Sequence, residues 1–170
     1  MPYIPAIRDY KPFYIQANGD STAWDTTDYG LVAQTQPFPC NFEVKEPYKN
    51  TWFDEHGDEE YIGGTMYLKG FEYTVKFFVK TLATVGSSPI EKLNTQIDSF
   101  MAKLLQGEFK IWDSWQERGF QNVRYVKQSI EDRDVTDDYA WMLFSVTMKV
   151  NDPATEVSYN STNHTITATT

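Results

Sequence analysis

Apolar residues recur every three or four positions at Ile90, Leu93, Ile97, Phe100, Met101, Leu104 and Leu105, in the middle of a chain that otherwise reads as strands and loops. This spacing predicts one amphipathic helix over 88–106 with a single buried stripe. Ser88 suits the N-cap, Pro89 fits the first helical position where no donor is needed, and Glu91 completes a capping box with Ser88. Gly107 stands where a left-handed terminating residue is wanted. At 1.5 Å per residue the helix spans about 27 Å, and a stripe of that length needs a sheet or barrel beneath it. Ile90, Leu93, Ile97, Phe100 and Leu104 are the expected core-facing line, with no part in catalysis.

On either side the pattern changes to period two. From Thr65 to Lys80, Tyr73, Val75, Phe77 and Val79 alternate with Glu72, Thr74, Lys76 and Lys80, which predicts a half-buried strand with Gly70 marking a bulge or bend. Phe78 interrupts the polar side. After the helix, Glu108 to Trp112 reads as a short strand and Asp113 to Gly119 as a turn. Strand Gln121 to Ile130 follows, then a polar connection from Glu131 to Asp138. In Tyr139 to Val150, Met142, Phe144, Val146, Met148 and Val150 form one face, and Tyr139, Trp141 and Leu143 give the other side a second apolar character. A strand apolar on both sides needs cover on both, so Phe78, Tyr139, Trp141 and Leu143 are candidate interface residues.

The first 37 residues, punctuated by Pro2, Pro5, Pro12, Pro37 and the turn signal Asn18-Gly19, predict short strands such as Phe13 to Ala17. Phe38 to Phe53 suggests one or two strands interrupted at Glu46-Pro47. Beyond Pro153 the chain turns to Ser, Thr and Asn, and Tyr159 to Thr170 reads as a polar arm that stays unfolded until it meets a partner. The organisation is one β domain over 1–157 and an arm over 158–170. The fold class is α+β, a mostly antiparallel β-sandwich or split barrel with one amphipathic helix packed on it.

Composition narrows the function. With 170 residues the chain suits one core, and a net charge of −9 argues against a surface that grips nucleic acid through clustered Lys and Arg. No apolar run reaches the length of a membrane span, and the first residues lack the pattern of a signal peptide. Cys40 is the lone cysteine, so no internal disulfide can form, and it reads as a small buried thiol.

No catalytic constellation emerges. The two histidines, His56 and His164, fall in an acidic loop and in the polar tail, without a second ligand at helical or hairpin spacing. The run Asp54 to Glu60 could offer Asp54, Asp58 and Glu60 to calcium, but its spacing is not that of an EF-hand and a solvated charge run explains it better. Glu59 and Glu60 point to opposite faces of a strand, which rules out convergence on one glycosidic bond. Five tryptophans and eleven tyrosines could stack on sugars or anchor interfaces. Glycine-rich phosphate loops, nucleophile elbows and zincin motifs are missing. The expectation is a protein with no enzyme activity, no cofactor, no resident metal and no small-molecule substrate.

Three segments taken in order, Tyr61 to Lys80, the helix from Ser88 to Gln106, and Phe109-Lys110-Ile111-Trp112-Asp113 through to Phe144 and Asn151-Asp152-Pro153, resemble the tail-tube module of bacteriophages. That module is shared by tube proteins, the N-terminal part of distal tail proteins and the tube of type VI secretion. The resemblance covers about residues 50 to 157. It implies a virion protein made in the bacterial cytoplasm, assembling with itself into a ring, most often a hexamer, and with other tail proteins. The sheets would close into a shared barrel around a channel, with the helix outside. DNA would pass without specific binding, which an acidic wall permits. A tail terminator or completion protein, and a carbohydrate-binding β-sandwich module, remain as alternatives.

Overall fold

A computed structural model describes residues 11–50, 59–61 and 64–169. The strands are β1 (Phe13–Ala17), β2 (Trp24–Asp25), β3 (Leu31–Gln34), β4 (Tyr48–Asn50), β5 (Glu59–Tyr61) and β6 (Phe71–Leu82), followed after the helix by β7 (Phe109–Asp113), β8 (Arg118–Val135), β9 (Tyr139–Val150), β10 (Glu156–Asn160) and β11 (Thr165–Ala168). Helix α1 runs Pro89–Leu104 between β6 and β7. The main sheet has the order β2-β1-β7-β8-β9-β6-β3, with β10 attached to β8 and β11 to β10, while β4 and β5 pair separately. The pairings are antiparallel throughout. The α+β reading with a mostly antiparallel sheet therefore holds.

The connection between β2 and β3 explains the curl of the sheet. These strands lie at opposite ends of a seven-strand path, so in a flat sheet they would stand about 29 Å apart at about 4.8 Å per interval. Only the six peptide steps from Asp25 to Leu31 join them, reaching at most about 22 Å, and four of the residues are wound into a 3-10 turn, Thr26–Tyr29. The sheet must roll until its ends approach, which makes a split barrel. Gly30 closes the turn at φ 71°, a left-handed conformation that a Cβ would strain.

The interior of this roll is aromatic and aliphatic. Phe13, Ile15, Phe109, Ile111 and Phe120 meet Val75, Phe77, Val79, Phe144, Val146 and Met148 in one buried cluster. Helix α1 lays Leu93, Ile97, Phe100 and Leu104 into it, with Ile90 and Met101 partly buried at the margin. The Phe100 ring lies 4.9 Å from Phe77, 6.0 Å from Trp24, 6.1 Å from Tyr29 and 6.3 Å from Phe144. It thus ties the helix to β6, β9 and the turn that closes the roll. Burial of such a side chain is worth roughly 1.5–3 kcal/mol in transfer free energy.

Several local expectations need correction. The helix ends at Leu104 with Leu105 as cap, and the positive φ of 125° belongs to Gly107 two residues beyond. Ser88 accepts from the Glu91 amide at 3.5 Å. Gly70 precedes β6, and a Cβ there would come within 2.6 Å of the Val150 carbonyl oxygen, so the close approach of backbone, rather than a bulge inside the strand, is what it accommodates. Residues 38–47 are irregular apart from a single bridge between Val44 and Leu68.

The polar run Glu131 to Asp138 is not simply a connection. β8 continues through it to Val135, with Asp132, Arg133, Asp134 and Val135 registered against Leu143, Met142, Trp141 and Ala140. The ladder to β9 holds this stretch without burying its side chains, so hydrophobic alternation gave no sign of it. Register shifts at Tyr125/Lys127 and Ile130/Asp132 also break the period-two pattern.

The polar C-terminal stretch is ordered, contrary to expectation. Tyr159 and Asn160 complete β10, which forms a hairpin with β11. Val157 and Ile166 are buried with Ala23, and Tyr14, Trp112 and Tyr159 pack around them. Two apolar anchors suffice because the backbone is tied as well. Ile166 donates its amide to Gln16 Oε1 at 2.7 Å and its carbonyl accepts from Lys110 Nζ at 2.9 Å. Where β10 reaches β8, a Cβ at Gly119 would stand 2.1 Å from the Ile111 carbonyl oxygen and 2.9 Å from Val157, so only glycine fits.

Candidate assembly surface

Cross-strand register decides which side chains share the outward face of β6 and β9. Phe78 pairs with Leu143 on one side and with Val32 of β3 on the other, while Lys80 pairs with Trp141 and Leu82 with Tyr139. These residues therefore form rows on one surface, opposite the helix-covered side. Phe78 is 39% exposed and Val32 47%, whereas Tyr139, Trp141 and Leu143 are half-buried by their neighbours. The Phe78 and Trp141 rings lie 6.0 Å apart. All four candidate interface residues thus stand together.

The border of this apolar surface is charged. Lys76 pairs with Glu131 at 2.7 Å, and Lys80 sits 5.2 Å above the Tyr139 ring. Tyr139 donates its hydroxyl to Asp134 Oδ2 at 2.9 Å, a bond that favours the neutral phenol and raises its pKa together with the carboxylate charge. The surface thus has an apolar centre and a charged rim.

The remaining sequence candidates separate clearly. Asp54 and Asp58 lie outside the described residues, as do His56 and Trp52, and of Glu60 the backbone alone is placed, in β5. Among the described residues no group of three His, Cys, Asp or Glu could hold a metal ion. Cys40 is exposed, which corrects the expectation of a buried thiol, because the irregular segment carrying it turns Phe38 and Phe42 toward the core instead. His164 closes the β10–β11 turn at φ 53°, and its Nδ1 lies 2.7 Å from the Tyr159 hydroxyl. Trp24 packs against the core and Trp112 against the C-terminal hairpin, so these two rings serve packing.

One buried polar group escaped the sequence reading. Asp113, fully buried at the end of β7, accepts from the Trp115 amide at 2.8 Å and from the Gln116 side chain. Gln116 in turn donates to the Gln36 carbonyl at 2.9 Å and accepts from the Phe38 amide at 2.6 Å. Tyr73 also donates to the Gln36 carbonyl, at 2.8 Å. Burial, with the nearby Asp113 charge, pushes the Tyr73 phenol far above its ordinary range. The network contains donors and acceptors in balance and no free nucleophile. It pins residues 36–38 across the end of the roll, and its only trace in the sequence is an Asp at a strand end with Gln three residues on.

No protein family and no curated protein matches this sequence. Among solved structures, the chain is similar to Dit (gp 19.1) of phage SPP1, described as a paradigm of the hub adsorption apparatus in phages infecting Gram-positive bacteria, with 17% identity and a TM-score of 0.51. The similarity covers 86% of this chain and 52% of that one, so the chain spans about half the length of the phage protein. At that identity the likeness is one of fold.

Proposed function

We propose that this protein is a non-enzymatic structural subunit of a bacteriophage tail. It resides in the virion and assembles with itself into a ring around a DNA channel and with other tail proteins. The observation that carries this reading is the outward face of β6 and β9, where Phe78, Tyr139, Trp141 and Leu143 gather with Val32 on adjacent strands and the Phe78 and Trp141 rings lie 6.0 Å apart. A partly exposed apolar cluster of this kind gains stability when a partner surface covers it. The likeness of the fold to a phage hub protein supports the same reading. A net charge of −9, with 24 Asp and Glu against 15 Lys and Arg, supports a channel that lets DNA slide, since excess carboxylates repel phosphates. In this reading residues 1–157 supply the tail-tube-like domain and 158–170 an accessory segment.

Solution mass measurement and particle imaging test the proposal. A single closed ring supports a hub or terminator role, and stacked rings support a tube. A protein that stays monomeric at high concentration, even with tail partners added, would sink it.

A further inference from the structure

One strand of the sheet has a long side with no neighbour. On one side β8 pairs with β10 at Gly119 and Phe120 and with β9 from Val123 to Val135, but on its other side β7 reaches only as far as Val123. From Arg124 to Val135, about 40 Å at 3.3 Å per residue, the described residues place no strand against that side. Unpaired backbone of this length is a template for adding a strand.

The charges on this stretch are ordered. Register with β9 puts Arg124, Lys127, Ser129, Asp132 and Asp134 opposite Lys149, Thr147, Ser145, Leu143 and Trp141, on the outward face. The face therefore reads two cations, a neutral centre and two anions. Arg124, Lys127, Asp132 and Asp134 enter no ion pair among the described residues; Asp134 accepts the Tyr139 hydroxyl, and Glu131 is taken by Lys76. A row that merely guarded an edge would repel its own copy in either direction. This row repels a parallel copy and attracts an antiparallel one, because its sign reverses about Ser129.

We propose that β8 pairs antiparallel with β8 of a second copy about a two-fold axis at Ser129. Arg124 then opposes Asp134 of the second copy, and Lys127 opposes its Asp132. On the inward side Tyr125 opposes Arg133, a cation over a ring. Self-complementarity of this kind is what a two-fold contact requires. Opposite charges facing across antiparallel strands favour the pairing and like charges oppose it. The two sheets join into one, with both aromatic faces on the same side. The pairing goes beyond the proposed ring and stands whether or not that ring forms.

Charge reversal and complementation test it by sedimentation of the full chain at low salt. The unmodified chain should contain a species of twice the 19.7 kDa chain mass. An all-acidic variant, Arg124→Glu with Lys127→Glu, and an all-basic variant, Asp132→Lys with Asp134→Lys, should each lose that species. An equimolar mixture of the two should regain it, which also shows that both variants are folded. A monomeric unmodified chain overturns the proposal, and so does either variant that still dimerises alone. A mixture that fails to recover the dimer overturns it too, and points to pairing of β8 with another edge of a second copy, such as β3. A ring absent from particle images bears on the ring reading and leaves this result untouched.

Discussion

The strand pairs β1–β7 and β6–β9 both turn one face into the common core, and they differ in what lies over the other. Over β1–β7 the chain supplies its own cover. The C-terminal hairpin stacks Tyr159 on Tyr14 at 4.1 Å and buries Ile166 to 1% exposure. Over β6–β9 the described residues place nothing, although Phe78, Trp141 and Leu143 are as apolar as Tyr14 and Trp112. Equal need for cover is met within the subunit in one place and left open in the other, and the proposed ring contact is what would meet it there.

Substitutions can break that comparison. The largest expected effect is at the face that both regions share: Phe100→Ala removes the ring joining the helix, β6, β9 and the closing turn, and should cost about 3–5 kcal/mol in denaturant unfolding. Next is the self-made cover. Ile166→Ala should cost about 2 kcal/mol and raise hydrogen exchange in β10 and β11 more than in β6. An equal rise in both would mean that the hairpin is not a separate cover.

The open face should respond in the opposite sense. Phe78→Ser combined with Leu143→Ser should change monomer stability by under about 1 kcal/mol while abolishing assembly beyond the β8-paired dimer in sedimentation. Large destabilisation with assembly intact would erase the distinction between the faces.

The smallest effect concerns pH. Burial pushes the Asp152 carboxyl up, but bonds from Thr155, Gln121 and the Ala154 amide outweigh it and hold the pKa below the usual 3.8. A depressed carboxylate stabilises the fold fully above its unfolded pKa and loses that contribution as pH falls through the folded value. Unfolding free energy should therefore fall less steeply below about pH 4 in Asp152→Asn than in the unmodified chain. Identical acid profiles for the two would remove Asp152 from the account.

Helix α1 was legible because its stripe, cap and first-position proline agree, and the long alternations of β6 and β9 were legible for the same reason. The far half of β8 and the β10–β11 hairpin were not. Their residues are polar and mostly exposed, and what orders them is a backbone ladder to the next strand of a hairpin, which leaves no trace in the period of the side chains. The interface candidates could be picked out because Phe78 and Trp141 violate an otherwise polar face. The buried network around Asp113 could not, since balanced hydrogen bonds leave no hydrophobic signature.

By itself the sequence determined which stretches alternate, where the helix starts and which strand faces are apolar, because period and capping are local properties of side-chain geometry. Only the tertiary structure decided that the sheet rolls until β2 and β3 approach, that the C-terminal hairpin closes one outward face, and that the other stays open beside the one unpaired side of β8. Those outcomes depend on strand order and register between distant segments, where a shift of one residue would exchange the covered and the open faces.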